Sequence, residues 1–144
     1  MNKSDSAFVD EFTAFGMGIG LPRSAARVLG FLHVCEPDLQ SYVQIQDTLA
    51  LSTGSVSIAT KMLEDMQLVE RVHLSGDKRH YYRLIPNGFV RATKRRLETF
   101  GMGRDLALRG LKDHPNDGRL VMLERLYGFL DTELKGVARK LDEL

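Results

Sequence analysis

Near residue 67 the spacing of apolar residues changes, and that change restricts the fold of this chain more than any other feature. Upstream, Val56, Ala59, Leu63 and Met66 recur at steps of three, four and three, the spacing of one buried helix face. Downstream, apolar and polar residues interleave from Leu68 to Leu74: Val69 and Val72 flank Glu70 and Arg71, and Leu74 follows His73. Tyr81 to Ile85 is rich in residues that favour strands. Between them lies Ser75-Gly76-Asp77-Lys78-Arg79, a polar run containing a glycine. The pattern predicts a helix that hands over directly to a β-hairpin at 69–85.

Upstream, the same rules predict three more helices. Ala7 to about Gly16 carries Phe8, Phe12, Phe15 and Ile19 in one stripe, and Gly16, Gly18 and Gly20 weaken and end it. Pro22 suits the first turn of a second helix, which runs through Ala25, Val28, Leu29, Leu32 and Val34 to Cys35, where Pro37 stops it. Ser41 with Gln44 matches a capping box and opens a short helix holding Val43, Ile45 and Leu49. Leu51-Ser52-Thr53-Gly54 forms a turn, and Ser52 is a good N-cap for a helix at about Thr53 to Met66. Helix 41–50, helix 53–66 and the hairpin then follow in the order of a winged helix-turn-helix. The expected fold class is mainly α with a small β-hairpin wing.

In such a unit the second helix enters the DNA major groove, and only its outward face touches base edges. With Val56 and Ala59 inward, Gly54, Ser57, Ile58 and Lys61 point outward, and Thr53 and Ser55 join them at the helix start as candidate contacts. Small hydroxyl residues and a lysine suit bases and phosphates, and an outward isoleucine suits a thymine methyl. An ordinary amphipathic helix with one stray isoleucine fits that helix equally well. Lys78 and Arg79 at the hairpin tip can reach the neighbouring minor groove, whose potential attracts arginine. Asp77 there reads as a turn former or as the partner that orients Arg79. The formal net charge is only +1, but residues 71–96 hold eight Lys/Arg and one acid, against four and nine in residues 1–70. That run is a footprint for a polyanion or a solvated basic face.

These residues carry a resemblance. Gly20-Leu21-Pro22-Arg23-Ser24-Ala25-Ala26-Arg27-Val28-Leu29-Gly30 resembles the helix that leads into the winged unit of GbsR/MarR-like transcriptional regulators. Leu51-Ser52-Thr53-Gly54-Ser55-Val56-Ser57, Leu63-Glu64 and Leu68-Val69-Glu70-Arg71-Val72 are similar to their recognition helix and first wing strand, and Gly76-Asp77-Lys78-Arg79 to their wing. The resemblance covers about residues 15–90. It implies a homodimer that binds palindromic double-stranded DNA, often as a repressor relieved by a small ligand. It would place that ligand between the dimer helices and the winged unit, with Phe12, Phe15 and Met17 as lining. The same three residues read equally well as dimer core. The family usually has glycine where Gln67 stands, so a left-handed helix cap there costs roughly 1 kcal/mol more.

Beyond the hairpin, Pro86 and Asn87 start a long helix carrying Val90, Leu97, Phe100, Leu108 and Leu111, with a kink or break expected at Gly101 and Gly103. Its Lys94-Arg95-Arg96 triplet is either a DNA-backbone contact or a solvated face. His114 to Gly118 is a loop, and a last helix starts at about Arg119. Leu120, Leu123, Tyr127, Leu130, Leu134, Val137, Leu141 and Leu144 alternate steps of three and four without interruption, a heptad seam. Such a seam can pack on the chain's own helices or on another chain; the wing and its two helices leave little to cover it, so a second copy is the expected cover. Phe8, Phe12, Leu123, Tyr127, Leu130, Leu134, Val137 and Leu141 are the candidate dimerisation residues. The expected organisation is one compact domain, with 21–86 binding DNA and 1–20 plus 87–144 forming the helical dimerisation region. A two-fold dimer would set two recognition helices one DNA turn apart.

Other functions find little support. With 144 residues, 43% of them apolar, a core needs no metal or disulfide. No apolar run is long enough to span a membrane, and the polar start gives no secretory signal. The single Cys35 fits a reducing cytoplasm and reads as a buried inert thiol before a redox sensor. His33, His73, His80 and His114 have no ligand spacing in sequence, so no metal or other cofactor is expected. Nothing resembles a phosphate loop or a catalytic triad, so no enzyme is expected. The alternative to DNA binding is a winged helix used only as a protein-interaction module. The basic wing tip favours DNA.

Overall fold

The structure, a computed structural model, describes all residues from Met1 to Leu144. Its elements are α1 (Lys3–Gly18), α2 (Arg23–Val34), β1 (Gln40–Ser41), α3 (Tyr42–Leu49), α4 (Thr53–Asp65), β2 (Val69–Val72), β3 (Tyr81–Leu84), α5 (Gly88–Asp113) and α6 (Gly118–Leu141). They fall into two compact units, Met1–Gly88 and Phe89–Leu144. The fold is mainly helical with one small antiparallel sheet of order β1-β3-β2.

In the first unit α2 is the central element. Ala25, Ala26, Val28, Leu29, Phe31 and Leu32 are all buried, against α1 on one side and α3 and α4 on others. Ile45 and Leu49 from α3, Val56, Ala59 and Leu63 from α4, and Leu68 and Val69 beside the sheet complete this core. Burying each Val, Leu or Ile stabilises by about 1.5–3 kcal/mol. The helix α1 differs from its sequence reading. It continues through Gly16 to Gly18, and its buried face is Val9, Thr13 and Gly16. A Cβ on Gly16 would lie 2.7 Å from the Cβ of Ala26, so the glycine lets α1 rest directly on α2. Phe8, Phe15 and Ile19 of the aromatic stripe point away and stay exposed.

Ser41 has two roles. Its hydroxyl accepts from the Gln44 N–H at 3.2 Å while Gln44 Oε1 accepts from the Ser41 N–H at 2.7 Å, completing the expected capping box. Gln40 and Ser41 also pair antiparallel with Tyr82 and Tyr81, adding a third strand to the expected hairpin. The hairpin itself pairs Val69 to Val72 with Leu84 to Tyr81.

Three helices of this unit end in the same way. After α1, Leu21 N–H donates to Gly16 O at 2.9 Å and Gly20 N–H to Met17 O at 3.1 Å, with Gly20 at φ 101°. After α3, Leu51 bonds to Gln46 O and Ala50 to Asp47 O, with Ala50 at φ 49°. After α4, Leu68 bonds to Leu63 O and Gln67 to Glu64 O, with Gln67 at φ 58°. Each is a Schellman cap, which wants glycine at the left-handed residue. Only the first has it.

In the second unit, α5 is continuous from Gly88 to Asp113. The expected break at Gly101 and Gly103 is absent, because close packing rather than turning is what these glycines serve. A Cβ on Gly103 would sit 2.9 Å from Tyr127 Cγ of α6. The Phe100 and Tyr127 rings lie 6.1 Å apart. Leu120 packs over Gly110 in the same manner. The heptad seam is therefore covered in part by α5 of its own chain, the less favoured of the two covers that the sequence allows. Asp117 caps α6 by accepting from the Arg119 N–H at 2.9 Å. The residues of α6 left exposed include Met122, Leu126 and Phe129, which lie off the seam.

The positive φ at Gln67 yields a test. Gln67→Gly should raise stability by about 0.5–1 kcal/mol, since glycine adopts this conformation without strain. Urea denaturation checks it, and an unchanged or lowered midpoint would show that the cap is not strained.

Candidate nucleic-acid interface

The helix-turn-helix is built from α3 and α4 and is held together at its turn. Ser52 caps α4, its hydroxyl accepting from the Ser55 N–H at 3.1 Å. The Tyr42 hydroxyl donates to the Thr53 carbonyl, and the Gln46 side-chain N–H donates to the Thr53 hydroxyl at 3.2 Å. Tyr42 and Gln46 thus tie α3 to the first residue of α4. Neither was singled out from the sequence, because nothing in periodicity marks a bond between residues seven or eleven positions apart. On the inward side Thr60 donates to the Val56 carbonyl at 2.9 Å and hydrogen-bonds the Tyr82 phenol of β3. Burial pushes the Tyr82 phenol above its usual range, with the Thr60 bond opposing. The helix is therefore fixed on its turn, core and sheet sides.

Its remaining side is open. Thr53, Gly54, Ser57, Ile58 and Lys61 are exposed, and Ile58 retains 66% of its surface. Gly54, Ser57, Ile58 and Lys61 follow helical spacing and form one ridge. Lys61 is 3.5 Å from Asp65 across one turn, an exposed pair worth little and readily released. Ser55 stands apart from the ridge: it is half-buried, and its hydroxyl receives the Ser52 hydroxyl at 2.8 Å. Thr53 is exposed, but its polar groups serve the turn.

The wing is the connection from Val72 to Tyr81, with Gly76 at φ 77°. Asp77 accepts from the Arg79 backbone N–H at 2.9 Å, from Arg79 Nε at 3.0 Å and Nη2 at 2.7 Å, and from the Tyr81 hydroxyl at 2.7 Å. The Arg79 guanidinium lies 5.4 Å from the Tyr81 ring centre. Asp77 is thus both turn former and arginine partner. The Arg79 side chain, then its backbone N–H and the Tyr81 hydroxyl, hold the Asp77 carboxyl well below the usual carboxylate range. A lowered folded value means that this network is fully present above the ordinary Asp value near pH 4 and is lost only as pH falls through the depressed one. Lys78 is exposed beside it. Lower on the wing, Arg83 meets Glu70 at 2.6 Å and Arg71 lies 4.0 Å from Glu64. The stem cations are matched by acids, which leaves the tip as the basic end of the wing.

The other singled-out residues sit as follows. Phe8 is exposed on α1, and Phe12 is half-buried with its ring 5.8, 5.6 and 5.0 Å from those of Phe8, Phe15 and His33. In the second unit Leu123, Tyr127, Leu130, Leu134 and Leu141 are half-buried, and Val137 is exposed. There Lys94 meets Asp142 at 2.7 Å. Cys35 is half-buried, and its thiol is pushed up to about 11, chiefly by burial, which suppresses thiolate chemistry. No helix is long and apolar enough to cross a membrane. His73 and His80, far apart in sequence, are brought ring to ring at 5.2 Å.

Comparison with known proteins agrees with this geometry. No protein-family model matches the chain. Over 111 residues it is 37% identical to the HTH-type transcriptional regulator MmpR5 of Mycobacterium tuberculosis, a match covering 75% of this chain and 67% of that protein. A crystal structure of a transcriptional regulator superposes with a TM-score of 0.76 at 28% identity, covering 98% of this chain and 99% of the other. A MarR/EmrR family transcriptional regulator from Acinetobacter sp. ADP1 gives a TM-score of 0.44 at 22% identity, over 98% of this chain and 90% of the other.

Proposed function

The chain belongs to the MarR-like winged helix-turn-helix transcriptional regulators, and from that premise we propose that it is a homodimeric, sequence-specific DNA-binding repressor. The observation that carries the proposal is the open ridge of α4. A helix held on its other sides presents Gly54, Ser57, Ile58 and Lys61 outward, with a largely exposed isoleucine among them. An exposed isoleucine on the outward face of this helix suits contact with a thymine methyl in the major groove. Gly54 leaves room for close backbone approach, since nothing lies within 4 Å of where its Cβ would be. Lys61 and Ser57 supply polar contacts to base edges or phosphates. Thr53 and Ser55, whose polar groups are used at the turn, position the helix start. At the wing tip, Arg79 and Lys78 engage the minor groove, with Asp77 setting the direction of Arg79.

Homodimerisation is supported by exposed apolar surface in each unit. In the first, Phe8, Phe15 and Ile19 line the outer side of α1. In the second, Met102 and Leu106 of α5 and Met122, Leu126 and Phe129 of α6 are exposed. Exposed apolar residues on both units support an interface with a second copy. Two copies related by a two-fold axis would bind a palindromic operator. Repression relieved by a small ligand is the mode of action that the family resemblance supports.

Two experiments test the proposal. Lys61→Ala should cost about 1–3 kcal/mol on a preferred site and relax preference at one base position, as expected of a base reader. Arg79→Ala should weaken binding on many sequences, most where A·T-rich flanks narrow the minor groove. Affinities on a single-base variant series and on flanks of differing A·T content measure both effects, alongside thermal melts. Parental binding by Arg79→Ala would remove the wing from the interface, and losses that only track a lowered melting temperature would make either residue structural.

The second concerns assembly. Sedimentation equilibrium should give a dimer for the parent at micromolar concentration. Phe129→Glu should give a folded monomer, because a side chain 62% exposed within its own chain tolerates charge there but not at an apolar interface. A dimeric Phe129→Glu would move the interface elsewhere.

A further inference from the structure

The two histidines of the wing stem lie ring to ring across the hairpin. The register pairs Val69 with Leu84, Glu70 with Arg83, Arg71 with Tyr82 and Val72 with Tyr81. Continued by one step, it sets His73 opposite His80. The His80 carbonyl accepts from the Tyr42 N–H at 3.0 Å, so that its peptide faces β1 and not β2. His73 and His80 therefore form a non-hydrogen-bonded pair, the kind in which opposite side chains approach most closely. Their ring centres are 5.2 Å apart and the ring planes differ by 68°.

We propose that His73 and His80 form a site for one borderline divalent cation of the zinc class, bridging the two strands at the base of the wing loop. Zinc binds imidazole nitrogen at about 2.0–2.1 Å with tetrahedral angles, which puts the centres of two imidazoles on one ion about 5 Å apart. The observed spacing is already that value. Both residues are exposed, so an ion and its waters reach them. Imidazole selects zinc, copper or nickel over magnesium and calcium. No group of three or more His, Cys, Asp or Glu surrounds the pair, and Asp77, within the same loop, is committed to Arg79 and Tyr81. Water would fill the other coordination positions. Arg71, two residues from His73 along the strand, has its guanidinium near Glu64 at 4.0 Å, where a carboxylate offsets its charge. The ion would close the loop carrying Lys78 and Arg79 with a second cross-strand link beyond the last ladder bonds.

The test needs no DNA, so its failure leaves the DNA reading intact. The full chain is titrated with Zn²⁺ alone, in competition with a chromophoric chelator and by imidazole NMR. One ion should bind per chain, the His73 and His80 resonances should shift together, and Mg²⁺ should shift neither. His73→Asn and His80→Asn should each weaken binding by at least about tenfold, because the second ligand acts intramolecularly. His114→Asn should leave affinity unchanged. Both stem residues are exposed, so thermal melts of the variants without zinc should match the parent. Undiminished affinity in either stem variant, equal binding of Mg²⁺, or no saturable zinc binding below about 1 mM, weaker than any useful two-ligand chelate, would overturn the site.

Discussion

The packing of α4 on α2 is the contact on which the rest of the first unit depends. Val56, Ala59 and Leu63 of α4 and Val28 and Leu29 of α2 keep almost no surface to solvent, and the two helices pack on each other. A close-packed interface of this kind admits one rotation of α4 about its axis, and that rotation decides which residues form the open ridge. A turn of one residue would bury Lys61 or Ser57 and expose the core. The Ser52 cap, the bonds from Tyr42 and Gln46 to Thr53, and the bond between Thr60 and Tyr82 add direction to what burial has already imposed. Specificity for a base pair requires such rigidity, because a misplaced side chain loses its hydrogen bonds while a misplaced charge keeps most of its attraction.

The wing works by different physics. Its strands are short, and its tip is held by charge and hydrogen bonds rather than by burial. Asp77 gathers three donor groups of Arg79 and the Tyr81 hydroxyl. An arginine that would otherwise sample many rotamers is thereby ordered, which under the proposed function lowers the entropy it loses on meeting DNA. Arg83 and Arg71 lie beside acids on the stem. The wing's half of the basic run is thus a basic tip on a largely neutralised stem, and the other half, Arg91, Lys94, Arg95 and Arg96, lies on α5.

Much of this was legible in the sequence where local chemistry decides. The Ser41–Gln44 box, the Ser52 cap and the inward stripe of α4 follow from side chains a few residues apart. The left-handed cap at Gln67 came instead from the resemblance, since the family usually has glycine there, and Gln67 takes positive φ. What was missed depends on contacts distant along the chain. A two-residue strand has no alternation to detect, and β1 exists only because Tyr81 and Tyr82 pair with it. The aromatic stripe of α1 was found correctly as a stripe, but period does not say what a stripe faces. The α1 surface that meets α2 includes Gly16, which allows contact with Ala26, and Phe12, whose side chain lies over Gly30. The glycines of α5 were read as breakers and are packing sites, for the same reason. The ring contact of His73 with His80 needs the hairpin register, which residue spacing alone does not supply.

The central claim is that two copies of the α4 ridge read a defined sequence. Selection of bound fragments from random double-stranded DNA by the full chain addresses it most directly. The account predicts enrichment of an inverted repeat whose half-sites are centred about 10–10.5 base pairs apart or a multiple of that. Recovery of fragments with no common sequence, or of a single half-site without its repeat, would contradict it.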